Sequence, residues 1–190
     1  AVAQARRTAA PALAEAVQAN LTQLAMDRAR VEVRVDGEGP ADEVSVLLAA
    51  NPGAPPLPLA KVASGGELAR TMLALRLVLT AGPPTLVFDE VDAGIGGAAA
   101  LAVGRSLAAL AAQQQVFVVT HLPQVAAFAD AHVQVTKESG DDSTVALVSQ
   151  LDSAERVVEL TRMLSGQPDS EVGQAHAEEL LALAAEQRTH

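Results

Sequence analysis

"TLVFDE", residues 85–90, is the stretch on which the reading of this chain turns. Leu86, Val87 and Phe88 follow one another without polar alternation, and two acids close the run. A continuous apolar strand is expected where both faces are covered, as in a parallel sheet. "VFVVT" at 116–120 repeats the pattern, and helices are predicted at 67–80 and 97–112. Helices alternating with buried strands predict an α/β fold: a mainly parallel, buried sheet flanked by helices.

Working outward, residues 3–27 read as a helix with Leu13, Val17, Leu21 and Leu24 near helical spacing, interrupted early by Pro11. "VEVRV" at 31–35 alternates strictly and predicts a strand. "DGEGP" at 36–40 is turn chemistry, and "EVSVLLAA" at 43–50 predicts a second strand antiparallel to the first. "NPGAPPLP" at 51–58 is read as a loop excluded from helix and strand, because its prolines lack donors and restrict their neighbours. Beyond 120, "LPQVAAFAD" predicts a short helix, "AHVQVTK" and "STVALVSQL" strands, and 153–164 and 170–187 two closing helices.

The 190 residues suit one domain of ordinary size, and 49% apolar content excludes global disorder. With aromatics at 2%, the core must be mostly Ala, Leu and Val. The net charge of −10 argues against a nucleic-acid footprint over the whole surface. Local clusters remain at Arg6-Arg7 and at Arg28, Arg30 and Arg34, whose plainer reading is solvated charge. There is no cysteine, hence no disulfide framework or thiolate chemistry. No signal peptide and no apolar run of about 18 residues is seen, so no membrane partner and a cytoplasmic location are expected. The first residue lies inside a helical pattern without a start methionine, so the chain reads as a piece of something longer.

In open α/β sheets, ligands sit at the carboxyl ends of strands. Asp89-Glu90 and Thr120-His121 fall there. An acid pair after an apolar strand fits a magnesium–nucleotide site: Mg²⁺ takes hard oxygens and keeps several waters, so one carboxylate often suffices. The neighbouring carboxylate points the other way and is free to act as a base. The plainer reading is that the pair begins a solvated loop, and that His121 is a hydrogen-bonded structural residue. Upstream, "VASGGELAR" at 62–70 places Ser64, Gly65, Gly66 and Glu67 at the start of a helix. A helix N-terminus attracts anions, glycines let a phosphate approach the backbone, and a hydroxyl adds a donor. The same residues fit a capping box, with Ser64 as the cap and Glu67 at the third helical position; the two readings are compatible. No G-x-x-x-x-G-K-[S/T] loop is present, so a cradle for the α- and β-phosphates is missing.

Taken in order, these motifs resemble the ABC-type ATPase head. "VASGGELAR" looks like its signature motif, "TLVFDE" like Walker B, "VDAGIGG" at 91–97 like the D-loop, and "VVTH" like the switch-histidine strand. Transporter members usually carry Leu and Gln where this chain has Ala63 and Glu67. The likeness is closer to the SMC-like DNA-repair branch, strongest over 60–137. In such proteins the head is split, and this chain resembles the C-terminal lobe. Residues 1–28 would then be a helix at the end of the coiled coil, and 29–190 the lobe.

The resemblance implies ATP and Mg²⁺ as cofactors, with Asp89 toward the metal, Glu90 as catalytic base and His121 on the γ-phosphate. Ser64, Gly65, Gly66 and Glu67 would act in trans, and Asp92 and Gly94 would carry the D-loop. The implied partners are the N-terminal Walker A lobe, a second head in a homodimer, and DNA in the full-length protein, near the nucleoid. The fragment alone is expected to be inactive. The alternatives are a non-hydrolysing, nucleotide-dependent scaffold or a piece of another ABC-type ATPase.

Overall fold

The computed structural model describes residues 2–37, 42–62, 64–79, 82–139 and 144–188, which divide into two compact units, 1–120 and 121–190. Ala63, residues 38–40 of the expected turn and the expected helix end at Thr80 lie outside the described residues.

The first unit opens with α1 (Val2–Gln23), which buries Ala3, Ala10, Val17 and Leu21. The helix runs through Pro11 instead of being interrupted by it. One lost backbone bond is outweighed by packing of the apolar stripe against the following strand and helix. α1 ends with Ala25 in the left-handed region and the Met26 amide bonded to the Leu21 carbonyl, which satisfies an orphan acceptor. β1 (Arg30–Asp36) and β2 (Glu43–Ala49) form the expected antiparallel pair, in register from Arg30↔Ala49 to Asp36↔Glu43. The 51–58 segment is not all loop. Leu57–Pro58 is β3, pairing Leu47↔Pro58 and Leu48↔Leu57 at the sheet edge, where a missing proline N–H costs nothing.

A 3₁₀ turn (Leu59–Lys61) leads to α2 (Gly65–Val78). β4 (Thr85–Phe88), α3 (Gly97–Ala111) and β5 (Gln115–Val118) follow. β4 and β5 pair in parallel from Thr85↔Gln115 to Phe88↔Val118. The fold is therefore α/β with a parallel sheet and flanking helices. Among the described residues that sheet has two strands, while the other two sheets are antiparallel. It is also less buried than an apolar run predicts: Val87 is 70% exposed, Phe117 54% and Val119 62%. These three share one face by alternation, while Phe88, pointing the other way, is buried. An apolar run records what a strand is suited to pack against, and the described residues of the first unit leave that face exposed.

The second unit contains α4 (Pro123–Ala126), the hairpin of β6 (His132–Ser139) and β7 (Thr144–Leu151), α5 (Ser153–Ser165) and α6 (Glu171–Arg188). Asp152 and Glu155 close a reciprocal capping box on α5, which ends at Gly166 in the left-handed region. Beneath β6, the Glu159 carboxylate accepts from Arg162 Nε at 2.7 Å and Nη2 at 2.6 Å, and from Gln134. The Arg162 bonds, more than burial opposes them, pull the Glu159 pKa below its ordinary value.

Candidate functional site

Ser64 caps α2: its hydroxyl accepts from the Glu67 amide at 3.4 Å, and its extended φ of −99° is that of a cap. The two glycines that follow meet the turn after β4. A Cβ on Gly65 would fall 2.1 Å from Glu90 Oε2. A Cβ on Gly66 would fall 2.9 Å from the Ala93 carbonyl oxygen and 3.0 Å from the Ala93 Cβ. The bare backbone thus has a local cause: it lets the 90–93 turn lie against the first turn of the helix.

That turn is sharply folded. Glu90 has φ +57°, in the left-handed region, and its amide donates to Asp89 Oδ1 at 2.9 Å. The Ala93 amide closes onto the Glu90 carbonyl at 3.0 Å. Val91 and Asp92 are buried, and the Asp92 carboxylate accepts from the Thr120 hydroxyl just beyond β5. The Val119 amide, on the same extension, donates to the Phe88 carbonyl at 2.9 Å. Gly94 then takes φ +74°, a conformation that favours glycine.

The first unit therefore brings together Ser64, Gly65, Gly66, Glu67, Asp89, Glu90, Asp92, Gly94 and Thr120. His121 is exposed and opens the second unit. Asp89 and Glu90 are exposed at the end of β4. Among the described residues, no group of three or more His, Cys, Asp or Glu could hold a metal by itself. Asp89 fits the role of a single hard-oxygen ligand to an ion that keeps its waters and borrows phosphate oxygens. The α2 N-terminus fits a phosphate by its missing Cβ atoms and cap, provided that the Glu90 carboxylate beside Gly65 gives way.

Arg70 escaped the sequence reading. It is 6% exposed and donates through Nη1 to the Ala93 carbonyl at 2.8 Å and the Val91 carbonyl at 3.4 Å. Burial lowers its pKa from the ordinary arginine value, opposed by Glu67 and Asp92. The signal was present: Gly66, Arg70 and Leu73 form one buried stripe of α2, and a charged residue on such a stripe needs an internal partner. The basic clusters, in contrast, are largely engaged at home. Arg34 pairs with Glu32 at 3.0 Å, Arg30 donates to the Ala29 carbonyl at 2.9 Å, and Arg6 pairs with Asp42.

Over 97% of its length the chain is 52% identical to the DNA repair protein RecN of Streptomyces coelicolor. It is 46% identical over 94% of its length to the DNA repair protein RecN of Mycobacterium bovis. The chain is RecN-like. It spans 36% and 35% of the lengths of these two relatives. The RecN-like fold is that of an SMC head: the Smc head domain of Pyrococcus yayanosii matches with a TM-score of 0.55 at 22% identity, over 76% of this chain and 28% of that one. No family model matches the chain. Among the described residues, no helix is long and apolar enough to cross a membrane.

Proposed function

We propose that this RecN-like chain is the C-terminal, signature-bearing lobe of an SMC-like ATPase head. Residues 1–28 would lead in from a coiled coil and 29–190 form the lobe. Its partners would be an N-terminal Walker A lobe of the same protein and a second head, and the assembled heads would bind and hydrolyse ATP to regulate DNA engagement in double-strand break repair. A place near the nucleoid follows from that role. The observation that carries the reading is the packing of the Ser64-Gly65-Gly66 helix start against the Asp89–Ala93 segment at the end of β4.

Each residue has a task suited to its chemistry. Asp89 would hold Mg²⁺, which neutralises charge developing on the phosphate oxygens. Glu90 would orient and deprotonate the attacking water, and His121 would hold the γ-phosphate. Ser64, Gly65 and Gly66, with Glu67 completing the helix cap, would offer the α2 N-terminus to a γ-phosphate on the facing head. Asp92 and Gly94 would shape the D-loop at the same interface. Phosphoryl transfer asks for positioning and charge stabilisation more than covalent chemistry, which suits a site of this kind. The exposed face of Val87, Phe117 and Val119 supports a further lobe packing there.

The test is a Glu90→Gln substitution in the full-length protein. The expected result is an ATP-bound dimer of prolonged lifetime. Wild-type hydrolysis by this variant would remove Glu90 from the role of base.

A further inference from the structure

The guanidinium of Arg70 donates to two main-chain carbonyls, those of Val91 and Ala93. Val91 follows Glu90 directly, and the two residues flank Asp92. An apolar side chain at this buried position would avoid the desolvation that burying a guanidinium entails. The turn it grips needs holding: Glu90 carries a full side chain in the left-handed region, which is disfavoured for any residue with a Cβ. Gly66 lies in the same contact, since a Cβ there would sit 3.1 Å from Arg70 Nη1. Arg70 thus ties the helix that begins at Ser64 to the backbone from which the Glu90 carboxylate projects.

We propose that Arg70 is a positioning residue for Glu90: by holding the Val91 and Ala93 carbonyls against the first turn of α2 it sets the Glu90 carboxylate beside Gly65. This rests on the assignment of Glu90 as base in the proposed ATPase.

The experiment compares Arg70→Met, which keeps the stem and removes the donors, with Arg70→Lys, which keeps a donor, in the full-length protein. Backbone amide exchange is followed by mass spectrometry in peptides spanning 86–96 and the later turns of α2. In Arg70→Met, exchange across 90–95 should rise about tenfold while the later turns of α2 stay within about twofold. Arg70→Lys should recover most of the protection. ATP turnover should lose about tenfold or more in kcat in Arg70→Met with KM for ATP little changed, and recover in part in Arg70→Lys. Unchanged exchange at 90–95, or an equal rise across the protein, overturns the proposal. So does wild-type kcat in Arg70→Met beside an impaired Glu90→Gln control. If Glu90→Gln itself turns over normally, the assignment of the base fails, and the positioning role falls with it.

Discussion

The two adjacent glycines should respond in opposite ways to the same small change. At Gly65, an added methyl meets Glu90 Oε2 at 2.1 Å, but that atom is the end of a flexible, exposed side chain and can rotate away. Alanine also gains up to about 1 kcal/mol in helix propensity over glycine, less at a first helical position. Gly65→Ala should therefore leave stability unchanged or raise it by about 0.5 kcal/mol. At Gly66, the added methyl meets the Ala93 carbonyl at 2.9 Å and the Ala93 Cβ at 3.0 Å, with Arg70 Nη1 at 3.1 Å. The Ala93 oxygen and Cβ are fixed to a backbone that Arg70 and the Glu90 carbonyl hold in place, and overpacking of this kind costs about 1–3 kcal/mol. Less the propensity gain, Gly66→Ala should destabilise by about 1–2 kcal/mol. For a chain of this size that lowers Tm by roughly 2–8 °C. Thermal and urea unfolding of the two variants side by side supply the assay. A Gly66→Ala protein as stable as Gly65→Ala would refute the claim that the 90–93 turn is clamped to α2.

Two further outcomes follow from the second unit. Asp152→Ala removes the side chain that accepts from the Ala154 and Glu155 amides, and should cost about 1 kcal/mol in thermal unfolding. Glu159 has a depressed pKa when folded, so its stabilising contribution is full above the ordinary glutamate value and is lost as pH falls through the lower, folded value. Unfolding scans should show Glu159→Gln less stable than wild type at pH 7, with the gap closing under acid. A gap that persists at low pH would contradict the ionised pairing with Arg162.

Much of this architecture is legible in the residues themselves. The β1–β2 hairpin follows from the strict alternation of "VEVRV" and the turn residues after it, and the two closing helices are read at nearly their observed bounds. The cap at Ser64 is equally readable, because capping is a local hydrogen-bond pattern. What escapes is set by packing across the chain. Pro11 stays helical because α1 is held by its neighbours, and Leu57–Pro58 pairs because β2 offers it an edge. The apolar run of β4 speaks for burial, yet Val87 is exposed, since a strand's composition does not say which covering surface is present. At the candidate site, the residue types at 64–67 and 89–94 are readable as motifs. That the glycines face Glu90 and Ala93 of the same chain, with Arg70 tying them, depends on a tertiary contact that spacing alone does not reveal.

The most direct measurement is ATP turnover when this chain is mixed with the Walker A lobe of the same protein, with and without Glu90→Gln. Turnover that requires both pieces and disappears with the substitution is the result expected of a split ATPase head whose base is Glu90. Turnover by this chain alone, or a folded mixture that binds ATP without hydrolysing it, would contradict it.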